Sequence, residues 1–240
     1  MRFCLYQYQK LPLPELRRRW HRAEELGFDV LWNVDTAVDP DAARSPMLDG
    51  PSILAAMAVE TSTIRIGTLV TSLYFRHPVL VARAATTVDH LSGGRVEVAL
   101  GVGDPTAGPH TVGVGWTTRE QVERFREFVE LVDLVLRQEV TSYSGKFYRC
   151  REAELIPGPV QRPRPPITVA AHGPKMLRIA AGSADTWSSW GGYDVATEDD
   201  FYRVTAERSQ RLDDLLTELG REPNGIRRSL VCFPPLTPWA

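Results

Sequence analysis

Residues His90–Pro109 read HLSGGRVEVALGVGDPTAGP and combine a glycine pair, an apolar run and a glycine-rich segment. The pair Gly93–Gly94 is typical of a helix C-terminus, and RVEVALGVG is short and apolar enough for a strand buried on both faces. Glycines at its end, Gly101 and Gly103, leave the backbone open to close approach by a flat ring. An ordinary flexible loop between a strand and a helix explains the same residues, so both interpretations stand at this point.

The same order of strand and helix recurs along the chain. Helical periodicity or helix-start prolines mark the segments between the apolar runs, most clearly in Thr118–Gln138. Seven strands are predicted: Arg2–Tyr8, Phe28–Val34, Ile64–Leu73, Arg95–Gly103, Ile167–Gly173, Ala184–Gly191 and Ile226–Phe233. Parallel strands covered by helices have this pattern, either in an open doubly wound sheet or in a (β/α)8 TIM barrel.

The chain is predicted to form one domain over residues 1–240. An insertion of about 138–166 interrupts the alternation, with an aromatic and glycine pattern that indicates a hairpin and prolines that indicate an extended crossover. The sequence stops soon after the seventh strand, so an eighth strand and its helix are expected to be missing from a barrel of about 250 residues.

Composition narrows the classes of partner. The formal net charge is −2 and basic runs are lacking, which argues against nucleic acid and against an anionic membrane. Three distant cysteines without metal-ligand spacing predict a reduced cytoplasmic protein with no metal site. A signal peptide and an apolar run long enough for a membrane span are not recognisable. Neither is a nucleophile elbow of the G-x-S-x-G type or an H-E-x-x-H helix, so hydrolase and metalloenzyme classes are disfavoured.

Function in either fold lies at the carboxyl ends of the strands. In AHGPKM, Gly173 and Pro174 open a helix whose first N–H groups form an anion site, and Lys175 adds a positive charge. A helix start without a ligand explains the same residues. Asp35, after the second strand, either caps a turn or accepts a hydrogen bond from a ring N–H. His77 precedes a proline and is a candidate acid or base, or simply a partner of the backbone.

Two long blocks resemble the bacterial luciferase-like monooxygenases and their deazaflavin-dependent relatives. They are GTLVTSLYFRHPVLVARAATTVDHLSGGRVEVALGVG (Gly67–Gly103) and GPVQRPRPPITVAAHGPKMLRIAAGSADTW (Gly158–Trp187), and ELGFDVLWNVD matches the family's second strand. The similarity extends from about Met1 to Phe233. It implies a (β/α)8 barrel, a homodimer, and FMN or coenzyme F420 (an 8-hydroxy-5-deazaflavin) bound at the mouth of the barrel.

The resemblance also assigns positions around the cofactor. A cis peptide between Leu69 and Val70, followed by Thr71, is implied under the ring. The other implied cofactor residues are Gly101, Gly103 and Asp104 beside the ring, and His172, Gly173, Pro174 and Lys175 at the phosphate. Asp35 completes the predicted cofactor-binding set.

One position departs from the family pattern. Many relatives carry a histidine after the acidic residue of the second strand, where this sequence has Thr36. Either the flavin chemistry needs no protein acid here, or His77, His110 or Asp104 replaces the histidine, or the protein is not an active catalyst. The sequence therefore predicts an oxidoreductase that transfers hydride to or from a small organic substrate, with oxygen insertion as an open option. A non-catalytic flavin-binding barrel and a fragment completed by a partner chain are the alternatives.

Overall fold

The computed structural model describes residues 1–38, 45–104, 111–192, 195 and 197–232. The chain forms two compact units, Met1–Pro166 and Ile167–Ala240. The interpretation of residues 1–240 as a single domain stays a prediction. Each unit is an α/β arrangement of parallel strands and helices, as the alternation of the sequence predicts.

Four parallel strands in chain order form the sheet of the first unit. They are β1 (Cys4–Tyr6), β2 (Val30–Asn33), β3 (Arg65–Ser72) and β4 (Val96–Gly101). Val30 lies opposite both Cys4 and Arg65, and Ile66 lies opposite Val96. Every residue of β2 and β4 is buried, as expected for parallel strands covered on both faces.

Helices follow the first four strands of this unit. They are α1 (Leu13–Glu25), α2 (Gly50–Glu60), α3 (Pro78–Leu91) and α4 (Thr118–Arg137). A core between α1, α2 and the sheet contains Leu16, Trp20, Leu31, Met57 and Ile66, each at most 2% exposed. The predicted hairpin is confirmed, because β5 (Val140–Ser144) and β6 (Arg149–Glu154) pair antiparallel.

The glycine pair after α3 ends that helix as the sequence predicts. The N–H of Gly93 donates to the His90 carbonyl at 3.2 Å and that of Gly94 to the Asp89 carbonyl at 2.8 Å. Both glycines have positive φ, at 63° and 87°, which L-residues with side chains rarely adopt. The turn returns the chain to the amino end of β4 within one residue, so it sets where that strand begins.

The second unit repeats the arrangement with three parallel strands, β7 (Ile167–Ala170), β8 (Thr186–Ser189) and β9 (Arg227–Leu230). Its helices are α5 (Pro174–Ser183) and α6 (Glu198–Glu218). Trp187 is fully buried in β8, and its indole N–H donates to the Ala171 carbonyl at 2.8 Å. All seven predicted strands are thus observed, each shorter than predicted because the terminal residues leave the ladder for the turns.

Candidate functional site

Ser72 connects three strand ends in the first unit. Its hydroxyl donates to the Val102 carbonyl at 3.1 Å and accepts from the Tyr74 N–H at 3.2 Å. Its own N–H donates to the Asp35 carboxylate at 3.4 Å. The carboxyl ends of β2, β3 and β4 are therefore linked through one buried serine, at the edge where parallel α/β folds place their ligands.

Asp35 lies at the end of β2 and pairs with Arg76. One guanidinium nitrogen, Nη1, donates to both carboxylate oxygens of Asp35 at 2.8 and 2.7 Å, and Nη2 donates to Asp49. Asp49 in turn accepts from the Ser52 N–H at 3.0 Å and caps α2. Arg76 thus joins a buried carboxylate to a helix cap, which is a third role for Asp35 beside the two that the sequence leaves open.

Burial raises the pKa of the Asp35 carboxyl, and the charge and hydrogen bonds of Arg76 offset that effect only in part. The Asp35 side chain is 5% exposed and that of Arg76 is 23% exposed. A carboxylate so buried is sensitive to the loss of its cation. This makes Arg76 the residue that keeps Asp35 available as a hydrogen-bond acceptor.

The peptide bond between Leu69 and Val70 is cis, as the family resemblance implies. It lies within a register shift of β3 against β4, between Thr68 and Thr71. A Cβ on Gly101 would come within 2.5 Å of the Val70 side chain, and one on Gly103 would collide with the Ser72 hydroxyl. Packing against β3 therefore requires both glycines, and the approach of a ring to them stays a prediction.

His77 caps a helix. Its Nδ1 accepts from the Val79 N–H at 3.3 Å at the start of α3, and a backbone group of Arg149 also hydrogen-bonds the ring. The ring packs edge-on against Tyr148, and burial lowers the pKa of His77. The geometry supports its structural role and gives no support to the catalytic one.

The other positions that the sequence analysis considered for an acid or base lie in different surroundings. The Thr36 hydroxyl, at the position of the family histidine, donates to the Val38 carbonyl at 3.0 Å. Asp104 lies three residues after β4, and its charge contributes to raising the pKa of Tyr74. His110 lies outside the described residues. Their catalytic roles, like the cofactor contacts of Thr71, stay predictions.

The second unit contains the predicted anion site at the start of α5. Gly173, Pro174 and Lys175 are exposed there, and within the described residues no side chain caps the helix. The first N–H groups of α5 are therefore directed at solvent, where a phosphate would satisfy them.

His172 precedes this helix and is neutral at pH 7. Its Nε2 accepts from the Trp190 N–H at 3.5 Å, and the two rings meet edge to face. Burial, together with the charge of Arg208, lowers the pKa of His172 to about 4. The imidazole thus adds no positive charge to the predicted anion site.

Three residues of the first unit were missed by the sequence analysis, namely Ser72, Tyr74 and Arg76. All three lie in TSLYFRHP, at the end of a predicted strand. A run of polar and aromatic residues at such an end is a usable signal, since loops after parallel strands carry function.

Among the described residues, no group of three or more His, Cys, Asp or Glu side chains is placed to hold a metal ion. Similarly, no described helix is long and apolar enough to cross a membrane.

Comparison with known proteins establishes the family. The family model of luciferase-like monooxygenases matches residues 3–226. The chain therefore belongs to the luciferase-like monooxygenase family, and its relatives are oxidoreductases of the flavin- and deazaflavin-dependent class.

Two curated relatives and one solved structure illustrate the similarity. A 5,10-methylenetetrahydromethanopterin reductase of Archaeoglobus fulgidus is 32% identical over 165 residues, covering 68% of this chain and 45% of the relative. An F420-dependent glucose-6-phosphate dehydrogenase of Microbacterium testaceum is 29% identical over 209 residues, 85% of this chain and 59% of the relative. The fold is shared with an F420-dependent secondary alcohol dehydrogenase in complex with an F420-acetone adduct. That match has a TM-score of 0.83, 19% identity, and coverage of 96% of this chain and 68% of the other. The chain thus spans about half the length of the curated relatives.

Proposed function

We propose that this chain is a luciferase-like oxidoreductase that binds coenzyme F420 and exchanges a hydride with a small organic substrate. The family match over residues 3–226 carries the proposal. The Microbacterium relative and the solved structure are both named for F420, which favours the deazaflavin over FMN. The hydride chemistry belongs to the bound cofactor, and the protein supplies binding, orientation and exclusion of water.

Asp35 is the proposed acceptor for a ring N–H of the cofactor. Its carboxylate is held by Arg76 at 2.7 and 2.8 Å and by the Ser72 N–H at 3.4 Å. A carboxylate has about four lone-pair positions, so these bonds leave room for one more donor. The fixed position at the strand end suits a planar ring, because the acceptor needs no reorganisation when the ring binds.

The N-terminus of α5 is the proposed contact for a phosphate of the cofactor. The helix has no side-chain cap in the described chain, and its first turn is exposed. Backbone N–H groups and the helix dipole favour an anion there, and Lys175 adds a point charge. His172 is neutral and contributes shape and hydrogen bonding instead of charge.

Asp104 is the proposed proton-handling residue in place of the histidine that Thr36 replaces. It lies three residues after β4, which ends at Gly101, and its charge raises the pKa of Tyr74. His77 is a weaker candidate because its ring already bonds to the backbone on both sides. A missing acid or base slows such a reaction, by about 10²–10⁴-fold, without preventing it.

Cofactor binding without turnover is the second candidate function. Two observations favour it, namely the Thr36 hydroxyl bonded to Val38 and the His77 ring used as a helix cap. Under this alternative, bound F420 would be neither reduced by alcohol or sugar-phosphate donors nor reoxidised by acceptors. Any such turnover would favour the enzyme instead, and a matched Asp104→Asn variant should then be slower by about 10²–10⁴-fold.

Titration with three ligands tests the proposal. Purified chain is mixed separately with coenzyme F420, FMN and riboflavin, and absorbance and tryptophan fluorescence are followed. We expect micromolar or tighter binding of F420, and FMN tighter than riboflavin by about tenfold or more, because riboflavin lacks only the phosphate. Equal affinity for FMN and riboflavin would contradict the phosphate contact at α5. Failure of all three to bind would contradict the proposed function.

A homodimer stays a prediction from the sequence. Light scattering measures the molar mass of the purified protein in solution with and without cofactor. The comparison distinguishes a dimer that forms only when cofactor binds from one that is always present. A monomer under both conditions would contradict the prediction.

A further inference from the structure

The hydroxyl of Tyr74 is buried and unpaired. Tyr74 follows β3 by two residues, is 7% exposed, and its hydroxyl oxygen has no hydrogen-bond partner in the part of the chain that the structure describes. Buried polar groups are nearly always hydrogen-bonded in folded proteins, because an unpaired one has lost its water without compensation. The hydroxyl therefore requires an explanation that packing of the ring does not give.

The ring itself is firmly held by neighbours of the same unit. Trp116 stacks on Tyr74, with centroids 4.8 Å apart and planes 10° from parallel. The guanidinium of Arg124 lies 4.4 Å from the ring centroids of both Trp116 and Phe147, and it also bonds the Glu120 carboxylate at 2.8 Å. This stack extends from the end of β3 to the turn of the β5–β6 hairpin. A phenylalanine would fill the same place, so the stack explains the ring and not the hydroxyl.

The electrostatic surroundings keep the hydroxyl protonated. Burial raises the pKa of Tyr74, and the negative charge of Asp104 raises it further. At neutral pH the group is thus a hydrogen-bond donor. The backbone N–H of Tyr74 donates to the Ser72 hydroxyl, which also donates to the Val102 carbonyl, so the backbone of Tyr74 is anchored at the strand ends around Asp35.

We propose that the Tyr74 hydroxyl donates a hydrogen bond to a carbonyl oxygen of the ring of the bound cofactor. This inference rests on the proposed function. The pyrimidinedione ring that FMN and coenzyme F420 share carries two carbonyl oxygens, so the contact does not depend on which of the two binds. The unpaired hydroxyl is then a group whose partner arrives with the ligand, and the stack on Trp116 holds it in position beforehand.

The change Tyr74→Phe separates this role from a structural one. We expect the ligand-free variant to melt at a higher temperature than the unchanged chain, because the uncompensated hydroxyl is gone. We expect its Kd for coenzyme F420 or FMN to rise by about three- to tenfold, since one hydrogen bond is lost. Saturating cofactor should therefore raise the melting temperature of the variant by less than it raises that of the unchanged chain. The absorption band of the bound ring shifts, which a purely structural effect would not cause.

Two controls match this variant. Tyr148→Phe removes the hydroxyl of a tyrosine that is equally buried, at 8% exposed, and that packs on Phe128 and His77. Gln7→Met removes another buried polar group that has no partner within the described chain, in a pocket lined by Trp20, Trp32 and Met57. Both are expected to leave the cofactor Kd unchanged, and Gln7→Met is expected to raise the melting temperature.

The outcomes are distinct. If the unchanged chain binds neither cofactor, the proposed function and this inference fail together. If it binds and Tyr74→Phe binds equally well with the same absorption band, this inference alone is overturned. An unfolded or less stable Tyr74→Phe variant would also overturn it, because the hydroxyl would then serve the fold.

Discussion

The two ends of the strands in the first unit treat polar groups in opposite ways. At the amino ends, Arg95 donates to the carbonyls of Ala58, Thr61, Ile64 and Ser92 and to the Thr61 hydroxyl, at 2.7 to 3.0 Å. At the carboxyl ends, Asp35 retains capacity for a further donor, and the Tyr74 hydroxyl has no partner among the described residues. The hydrogen bonds at the amino ends serve the fold, and the carboxyl ends, with capacity to spare, are where we propose that a ligand binds.

Two carboxyl groups show the same contrast. Burial alone would raise the pKa of Glu24, but hydrogen bonds from the N–H groups of Ile64, Thr63 and Ser62 outweigh it and lower the pKa to about 2. In Asp35 the raising effect of burial prevails over Arg76. The three N–H donors around Glu24 belong to the backbone, whereas the cation that offsets the burial of Asp35 belongs to one side chain, that of Arg76. The protonation of Asp35 is therefore the more easily disturbed.

The largest effect on stability is expected at the amino ends of the strands, where Arg95 donates to the surrounding carbonyls. Arg95→Met leaves four carbonyl oxygens without their donor, and we expect the free energy of unfolding to fall by about 3 kcal/mol or more. Urea unfolding measures it. Arg22→Met, which removes an exposed arginine paired with the exposed Glu25, is the control and should cost less than about 0.5 kcal/mol. Equal losses in both variants would remove the contrast between the two ends.

Arg76→Gln should affect the ligand more than the fold. The ionised form of Asp35 is the proposed acceptor, so cofactor binding strengthens as the pH rises through the pKa of Asp35. Loss of the Arg76 cation raises that pKa further, and the midpoint of binding moves to higher pH. We expect the Kd at pH 7 to rise by about tenfold.

The measurement is the Kd for coenzyme F420 between pH 5 and 9. Arg83→Gln, on the exposed side of α3 where it donates to the Glu154 carbonyl, is the matched control. Parallel pH profiles for the Arg76 variant and the unchanged chain would show that Arg76 does not govern Asp35.

The smallest effect is expected from Glu24→Gln. The folded pKa of about 2 lies below the usual value of 4.5, so Glu24 contributes stability that is present above pH 4.5 and lost as the pH falls toward 2. The group is only partly buried, so we expect a cost of about 1 kcal/mol at pH 7 after allowance for solvent screening.

Thermal unfolding at pH 7 and at pH 3 measures the effect of Glu24. The gap between the variant and the unchanged chain should close as the pH falls. Glu25→Gln, at an exposed neighbouring position, should leave no such gap at any pH. A gap that persists unchanged at pH 3 would mean that the ionised form is not what stabilises the turn.

Much of the fold could be predicted because its signals are local. The caps at Gly93–Gly94, the helix after Pro78 and the buried run of β4 each depend on residues within one turn or one strand. The hairpin of β5 and β6 followed from its aromatic and glycine pattern. The strands were predicted to extend beyond their observed ends, since neither periodicity nor propensity indicates where the hydrogen bonds to a neighbouring strand stop.

The candidate site could be predicted only in outline. The sequence indicated Asp35 and the start of α5 as binding positions, because both follow strands. It did not indicate that Asp35 pairs with Arg76, which is 41 residues away, or that Ser72 joins three strand ends. The separation of such residues along the chain follows no pattern that a single sequence reveals, because the register of neighbouring strands brings them together.

The sequence by itself determined the alternation of strands and helices, the turns that end the helices and the family to which the chain belongs. The elements and turns depend on short-range patterns of apolar residues, glycine and proline, which can be recognised without knowledge of any distant contact. Only the tertiary structure decided which polar groups are satisfied, because burial and distant partners set both hydrogen bonding and pKa. The pairing of Asp35 with Arg76 and the unpaired hydroxyl of Tyr74 are of that second kind.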